Sequence, residues 1–91
     1  MATKTWKATN IQQDIITGKE NISYSVNGED GIYKFTTTGD VSFTELHTVD
    51  DSLTEEAVIS WVKEKLDADN AGTVASIEAD VEKNVNDQKN S

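Results

Sequence analysis

The hydrophobic pattern of this chain changes its period once, near residue 50. Before that point apolar and polar residues alternate, as half-buried β-strands require, and glycines recur at intervals that suit turns. After it, apolar residues recur every three or four positions, as they do on one face of an α-helix. The chain is therefore expected to fold as an antiparallel sheet followed by helices, in the α+β class.

Four strands are predicted between about residues 4 and 47. The clearest is the second, whose apolar side is formed by Ile22, Tyr24 and Val26. Turns are predicted at 17–19, 27–31 and 38–40, because glycine and asparagine tolerate the positive φ angles that tight turns demand. The last of these turns would divide a third strand from a fourth. The expected sheet is a four-stranded antiparallel β-meander.

Two helices are predicted, at about residues 54–67 and 73–87. Thr54 can cap the first by accepting a hydrogen bond from a free backbone N–H, and the two glutamates that follow it suit the positive end of the helix dipole. The last residues have no apolar side chain to hold them and are expected to fray. The complete prediction is one domain over residues 1–91 with the element order ββββαα.

The core of this domain is expected to be small. Ninety-one residues allow a single modest core, and only 35% of them are hydrophobic. Trp6 and Trp61 are the largest apolar side chains and are interpreted as core anchors, with Trp61 on the sheet-facing side of the first helix, near the inner face that Trp6 begins. The alternative is that they belong to an interface, where tryptophan is also enriched. A core this thin would benefit from self-association.

The charge is strongly acidic: 17 acids oppose 8 lysines, for a formal net charge of −9, and there is no arginine. Residues 50–91 hold eleven of the acids and four of the lysines, a net charge of −7. This balance opposes binding to nucleic acids and to anionic membranes, both of which require cationic contacts. No nucleic-acid or membrane partner is expected, and no apolar run approaches the length of about 20 residues that a membrane span needs.

The sharpest chemical signal is the spacing from Asp67 to Glu78, which is that of an EF-hand calcium loop. Asp69 and Gly72 fall where such a loop has a ligand and its glycine, and Glu78 falls where it has its closing glutamate. Ala71, however, stands where a third side-chain ligand belongs. A polar connection between two helices explains the same residues, so Asp67, Asp69 and Glu78 form only a weak calcium candidate.

No catalytic residues, resident metal or cofactor are predicted. His47 is the single histidine and lies near Thr48 and Asp50, but no strained nucleophile turn accompanies it. It is interpreted as a histidine at a strand end. The absence of cysteine excludes zinc sites built on thiolates. The protein is therefore expected not to be an enzyme.

Six short motifs follow one another along the chain. They are Thr5-Trp6-Lys7, Gly28 to Tyr33, Gly39, Leu53-Thr54-Glu55-Glu56, Trp61-Val62 and Gln88-Lys89-Asn90. In this order they resemble a family of short hypothetical proteins of tailed bacteriophages, classed as a domain of unknown function. The resemblance covers almost the whole chain. It implies a phage origin and a common fold, with no catalytic residues to carry over.

The leading hypothesis is a small phage protein that acts by protein–protein contact, as an accessory structural component of the virion. Its partners would be other virion proteins or further copies of itself, and it would be found in the virion or the host cytoplasm. The alternative is an acidic decoy that binds a host protein by imitating the phosphate charge of DNA. A weak calcium-binding module is the third hypothesis.

Overall fold

The computed structural model describes residues 2–90. Three antiparallel strands, in the order β1-β2-β3, precede two helices that pack on one face of the sheet. The elements are β1 (Thr3–Asp14), β2 (Lys19–Asp30), β3 (Tyr33–Phe43), α1 (Glu55–Asp69) and α2 (Thr73–Lys89). The α+β class is as expected. No helix in residues 2–90 is both long and apolar enough to cross a membrane.

The core lies between the inner face of the sheet and the two helices. Ile22, Tyr24 and Val26 of β2 are buried there, as their alternation predicts. They pack with buried side chains of the helices: Val58, Ile59, Val62 and Val81. The opposite face of the sheet carries polar side chains, so the molecule has two layers, one of strands and one of helices.

The prediction of four strands is wrong, because Gly39 lies inside β3 and does not form a turn. Gly39 pairs with Tyr24 of β2, and a Cβ atom at this glycine would lie 2.6 Å from the Tyr24 hydroxyl oxygen. The glycine therefore makes room for the tyrosine ring on the inner face. The segment predicted as a fourth strand is the second half of β3, which ends at Phe43.

The turn predicted at residues 27–31 is shorter than expected. Strand β2 continues to Asp30, which pairs with Tyr33, so Gly31 and Ile32 alone form the loop. Gly31 has a φ of 64°, as the first central residue of a type II′ turn requires. Gly28 faces α2 instead of turning the chain: a Cβ atom there would lie 2.4 Å from Cγ1 of Val81.

The helices begin where the sequence indicates. The Thr54 side chain accepts a hydrogen bond from the Ala57 backbone N–H, which confirms its capping role. Helix α2 extends to Lys89, so it includes most of the last residues, which were expected to fray because they have no apolar side chain. Two ion pairs fix this helix on the sheet, one between Lys89 and Asp30 (2.8 Å) and one between Lys4 and Glu82 (2.7 Å).

Candidate functional site

Glu20 is the one buried charged residue in the part of the chain that the structure describes, with 2% of its surface exposed. It is the second residue of β2 and lies between Gln13 of β1 and Phe43 of β3 in the sheet register. Its carboxylate accepts hydrogen bonds from Gln13 Nε2 (2.6 Å) and from the His47 backbone N–H (3.2 Å). The Nδ1 atom of the His47 ring is a third hydrogen-bond partner.

The His47 ring is also held by two aromatic side chains. It stacks on the Trp61 indole of α1, with ring centroids 4.0 Å apart, and meets the Phe43 ring edge-on at 4.8 Å. The His47 carbonyl oxygen accepts a further hydrogen bond from Gln13 Nε2 (2.8 Å). The Glu20–His47 cluster, defined here as Glu20, His47, Gln13, Trp61 and Phe43, therefore joins the sheet, the loop after β3 and α1.

The electrostatics of this cluster favour a charged carboxylate. Burial acts to raise the pKa of Glu20, but the hydrogen bonds from Gln13 and His47 together outweigh it and hold that pKa below its ordinary value. A buried carboxylate with all its partners in place stabilises the arrangement around it. The cluster therefore serves to hold residues 44–54 against the end of the sheet.

A catalytic arrangement around His47 is not assembled in residues 2–90. Asp50, which follows in the sequence, accepts hydrogen bonds from the backbone and side chain of Ser52. Among the described residues, no serine or threonine hydroxyl is hydrogen-bonded to the His47 ring. Glu20 is the partner that the sequence reasoning missed. The sequence did contain an indication of this role. Glu20 lies two residues before Ile22 in the same alternation as Tyr24 and Val26, which places its side chain on the buried face.

The three calcium candidates have separate hydrogen-bond or ion-pair partners. An Asp67 carboxylate oxygen accepts from the Val74 backbone N–H (3.0 Å), and Asp69 pairs with Lys65 (3.3 Å). Glu78 accepts from the Trp6 indole N–H at 3.3 Å. Within residues 2–90 no three acidic or histidine side chains are grouped so that they could hold a metal ion.

The two predicted anchor tryptophans lie in different places. Trp6 is buried and stacks on Tyr24 at a centroid distance of 5.5 Å, with the Lys63 ammonium 5.1 Å from its ring centroid. Trp61 is half-buried, packs against the core from α1 and stacks on His47. Both tryptophans therefore pack against the core, Trp6 beside Tyr24 and Trp61 at the Glu20–His47 cluster.

Within residues 2–90, the most exposed apolar side chains lie at the two hairpin turns. Ile15 and Ile16, in the turn between β1 and β2, are 83% and 93% exposed, and Ile32, between β2 and β3, is 87% exposed. The turn at residues 15–18 is named the apolar tip here. An open cleft of about 560 Å³ lies beside it, lined partly by Asp14, Lys19 and Phe43.

The element order βββαα, with two helices on one face of a three-stranded antiparallel sheet, defines a small domain of the α+β class. The chain belongs to the family described as Domain of unknown function (DUF7936), whose model matches residues 1–91. Membership in a family of unknown function is thus confirmed. Comparison with curated proteins and with solved structures gave no match.

Proposed function

We propose that this protein acts by protein–protein contact through the apolar tip, as an accessory structural component of a tailed-phage particle. The observation that carries the contact is the exposure of Ile15 and Ile16. The phage setting rests on the order of sequence motifs described above. The family match covers residues 1–91 and gives no information on whether the protein comes from a phage.

The apolar tip has no evident role in folding. Isoleucine is unusual in tight turns, which favour glycine, asparagine and aspartate. The two side chains lie outside the core, and fully burying one isoleucine side chain stabilises a contact by about 1.5–3 kcal/mol. Covering both with a partner protein would therefore supply several kcal/mol of association free energy, which is the scale of a small interface hot spot.

The shape of the molecule suits an end-on contact. Its principal extents are 50 × 28 × 16 Å, and the two hairpin turns lie at opposite ends of β2. The apolar tip is hence far from the Ile32 turn. A contact at one end leaves the other end and the polar sheet face free to meet solvent or a second neighbour.

The test is mass spectrometry of purified particles of the phage that encodes this chain. The wild-type protein should be found in the particles, and the double variant Ile15→Ser, Ile16→Ser should be lost from them. Ile32→Ser is the matched control, because it removes an equally exposed isoleucine at the opposite end. Absence of the wild-type protein from the particles would refute the structural role, and retention of the double variant would refute the apolar tip as the contact.

A second candidate function is that of an acidic decoy that binds a host DNA-binding protein. It is supported by the exposed acids on the helices that, among the described residues, have no lysine partner. Lys65, Lys83 and Lys89 each pair with an aspartate. Exposed acids without a lysine within ion-pair distance in residues 2–90 include Glu55, Glu56, Glu64 and Asp80. Such a surface predicts binding to a basic host protein that weakens steeply with salt. A pull-down that recovers no nucleic-acid-binding protein would refute it.

A further inference from the structure

The outer edge of β3 presents backbone groups that, from Thr36 to Ser42, have no hydrogen-bond partner within residues 2–90. Asp30 and Tyr33 close a two-residue hairpin loop and therefore form a hydrogen-bonded pair. By alternation, the N–H and C=O groups of every second residue from Lys34 onward point away from β2. These residues are Lys34, Thr36, Thr38, Asp40 and Ser42.

The side chain of Gln88 confirms this direction at Lys34. Its Nε2 donates to the Lys34 carbonyl oxygen at 2.6 Å, so this carbonyl has a partner outside β2. For Thr36, Thr38, Asp40 and Ser42, the structure gives no backbone hydrogen bond on this side within residues 2–90. The free run therefore extends along most of β3, from Thr36 to Ser42.

The two edges of the sheet differ in regularity. Strand β1 has a bulge between Ala8 and Asn10, which interrupts its pairing register with β2. Bulges are one of the features by which edge strands avoid pairing with other chains. Strand β3 pairs with β2 without a shift from Tyr33 to Phe43. Of the two edges, β3 is thus the one whose backbone is set out regularly enough to accept another strand.

The charges on the β3 edge select a partner and a register. Lys34 and Asp40 are the charged residues of the outward-directed set, and they lie three positions on either side of Thr37. We infer that β3 pairs antiparallel with β3 of a second copy of this chain about a two-fold axis at Thr37. Lys34 then lies opposite Asp40 of the second copy, and Thr36 lies opposite Thr38, so each opposed pair is either oppositely charged or both threonine.

This register satisfies the backbone as well as the charges. The opposed residues all belong to the outward-directed set, so each pair can exchange both of its N–H···O=C bonds. The Lys34 carbonyl oxygen has a second lone pair, so it can accept a bond from the second copy beside the one from Gln88. Shifting the axis by one residue, to Thr36 or Thr38, places Lys34 opposite an uncharged residue and loses both ion pairs.

The inner face is compatible with the same axis. Phe35, which is half-buried, falls opposite Gly39 of the second copy, so a large side chain meets a position that has none. A two-fold axis perpendicular to the sheet keeps the helices of both copies on the same side. The result is a continuous six-stranded sheet in which β3 is no longer an edge. This contact uses a surface distinct from the apolar tip and does not depend on the proposed function.

The inference is tested by sedimentation equilibrium of the full chain at about 0.15 M ionic strength, where repulsion between two acidic copies is screened beyond roughly 8 Å. The wild type should move from the 10.0 kDa monomer towards twice that mass as its concentration rises. Lys34→Glu and Asp40→Lys should each weaken self-association about tenfold or more, because each places two like-charge pairs across the axis. Lys7→Glu, on the outer face of β1, is the matched control and should leave the association unchanged.

The decisive sample is a mixture of the two single variants. Lys34→Glu makes the β3 edge wholly acidic and Asp40→Lys makes it wholly basic, so the two should form heterodimers at least as readily as the wild type forms homodimers. A variant that had only lost its fold would show no such recovery. Hydrogen exchange should also slow at the Thr36 and Thr38 amides when the wild type associates.

Three results would overturn the inference. They are a wild type that stays monomeric at every concentration, single variants that associate as tightly as the wild type, and a mixture that shows no recovery. The first means that a second copy does not occupy the β3 edge. The second and third mean that any self-association uses a different surface or a different register.

Discussion

The Glu20 carboxylate on β2 and the His47 ring on the loop after β3 are hydrogen-bonded to each other across 27 residues of sequence. The pair connects a strand whose position is fixed by the sheet to a segment that has no regular secondary structure. Because the carboxylate is buried, the loss of a donor leaves one of its oxygen atoms without a hydrogen-bond partner, which costs free energy. The pair is therefore expected to decide how firmly residues 44–54 are held.

Replacing His47 with phenylalanine isolates the hydrogen bond from the aromatic contacts. Phenylalanine retains a ring that can stack on Trp61, but it gives Glu20 no donor from the ring. We expect the free energy of unfolding to fall by about 1–3 kcal/mol, the cost of a buried group left unsatisfied. His47→Ala should cost more, because it also loses the ring contacts. Urea denaturation of the three proteins measures both differences, and a His47→Phe variant as stable as the wild type would show that the hydrogen bond contributes nothing.

The lowered pKa of Glu20 predicts a specific dependence of stability on pH. A carboxyl group whose pKa is depressed in the folded state contributes stability that is fully present above its unfolded pKa of about 4.3. That contribution is lost as the pH falls through the lower folded pKa. At neutral pH, Glu20→Gln should therefore be less stable than the wild type, and the difference should shrink in strong acid, where Glu20 becomes protonated.

Denaturation of both proteins at a series of pH values from 7 to 2 checks this prediction. Asp30 and Glu82 also have lowered pKa values, because of their hydrogen bonds with Lys89 and Lys4. Those groups act in both proteins and cancel in the comparison. A stability difference that stays constant down to the lowest pH would contradict the proposed state of Glu20.

Local signals in the sequence were enough to predict the α+β class, the strand β2 and the start of α1. The alternation in β2 and the cap at Thr54 depend on residues that are close together along the chain. Gly39 was misread for a different reason. A glycine flanked by threonine and aspartate is typical of a turn, and its actual role depends on lying opposite Tyr24. That relationship exists only once the register of the two strands is known.

The Glu20–His47 cluster was beyond sequence reasoning for a related reason. The alternation of β2 places Glu20 on the buried face. The hydrogen-bond donors that make its burial tolerable come from Gln13, seven residues away across the hairpin, and from His47 in a loop that has no hydrophobic periodicity. Trp61 illustrates the same limit. Its position on an apolar helix face was evident, and its contact with His47 depends on that loop.

Calcium titration is expected to give no saturable heat at millimolar concentrations. Asp67 and Glu78 already accept hydrogen bonds from Val74 and Trp6, and Asp69 is paired with Lys65. An EF-hand site needs its carboxylates directed at one point, and the cost of breaking these contacts would oppose binding. Isothermal titration calorimetry of the wild type and Asp67→Ala checks this. Heat in the wild type that the variant lacks would establish the calcium module instead.

Gly28 is expected to set the distance at which α2 packs on β2. An alanine Cβ atom at this position would lie 2.4 Å from Val81 Cγ1 and 3.3 Å from Val85 Cγ2, and both valines are fully buried. Gly28→Ala should therefore lower the free energy of unfolding by about 1–3 kcal/mol through overpacking. The conformational effect of replacing glycine in a strand has the opposite sign, so a loss of stability must come from this contact.

A double-mutant cycle identifies the contact. Val81→Ala alone should cost about 2 kcal/mol because it leaves a cavity. Combined with Gly28→Ala, it supplies the space that the new methyl group needs. The double variant should therefore lose less unfolding free energy than the two single variants lose in sum, by at least about 0.5 kcal/mol. Val58→Ala on α1 is the matched control, because the atoms nearest to a Cβ at Gly28 belong to Val81 and Val85. The losses of unfolding free energy from Val58→Ala and Gly28→Ala should therefore be additive. Additive costs in the Val81 cycle would show that α2 adjusts its position freely and that Gly28 does not set it.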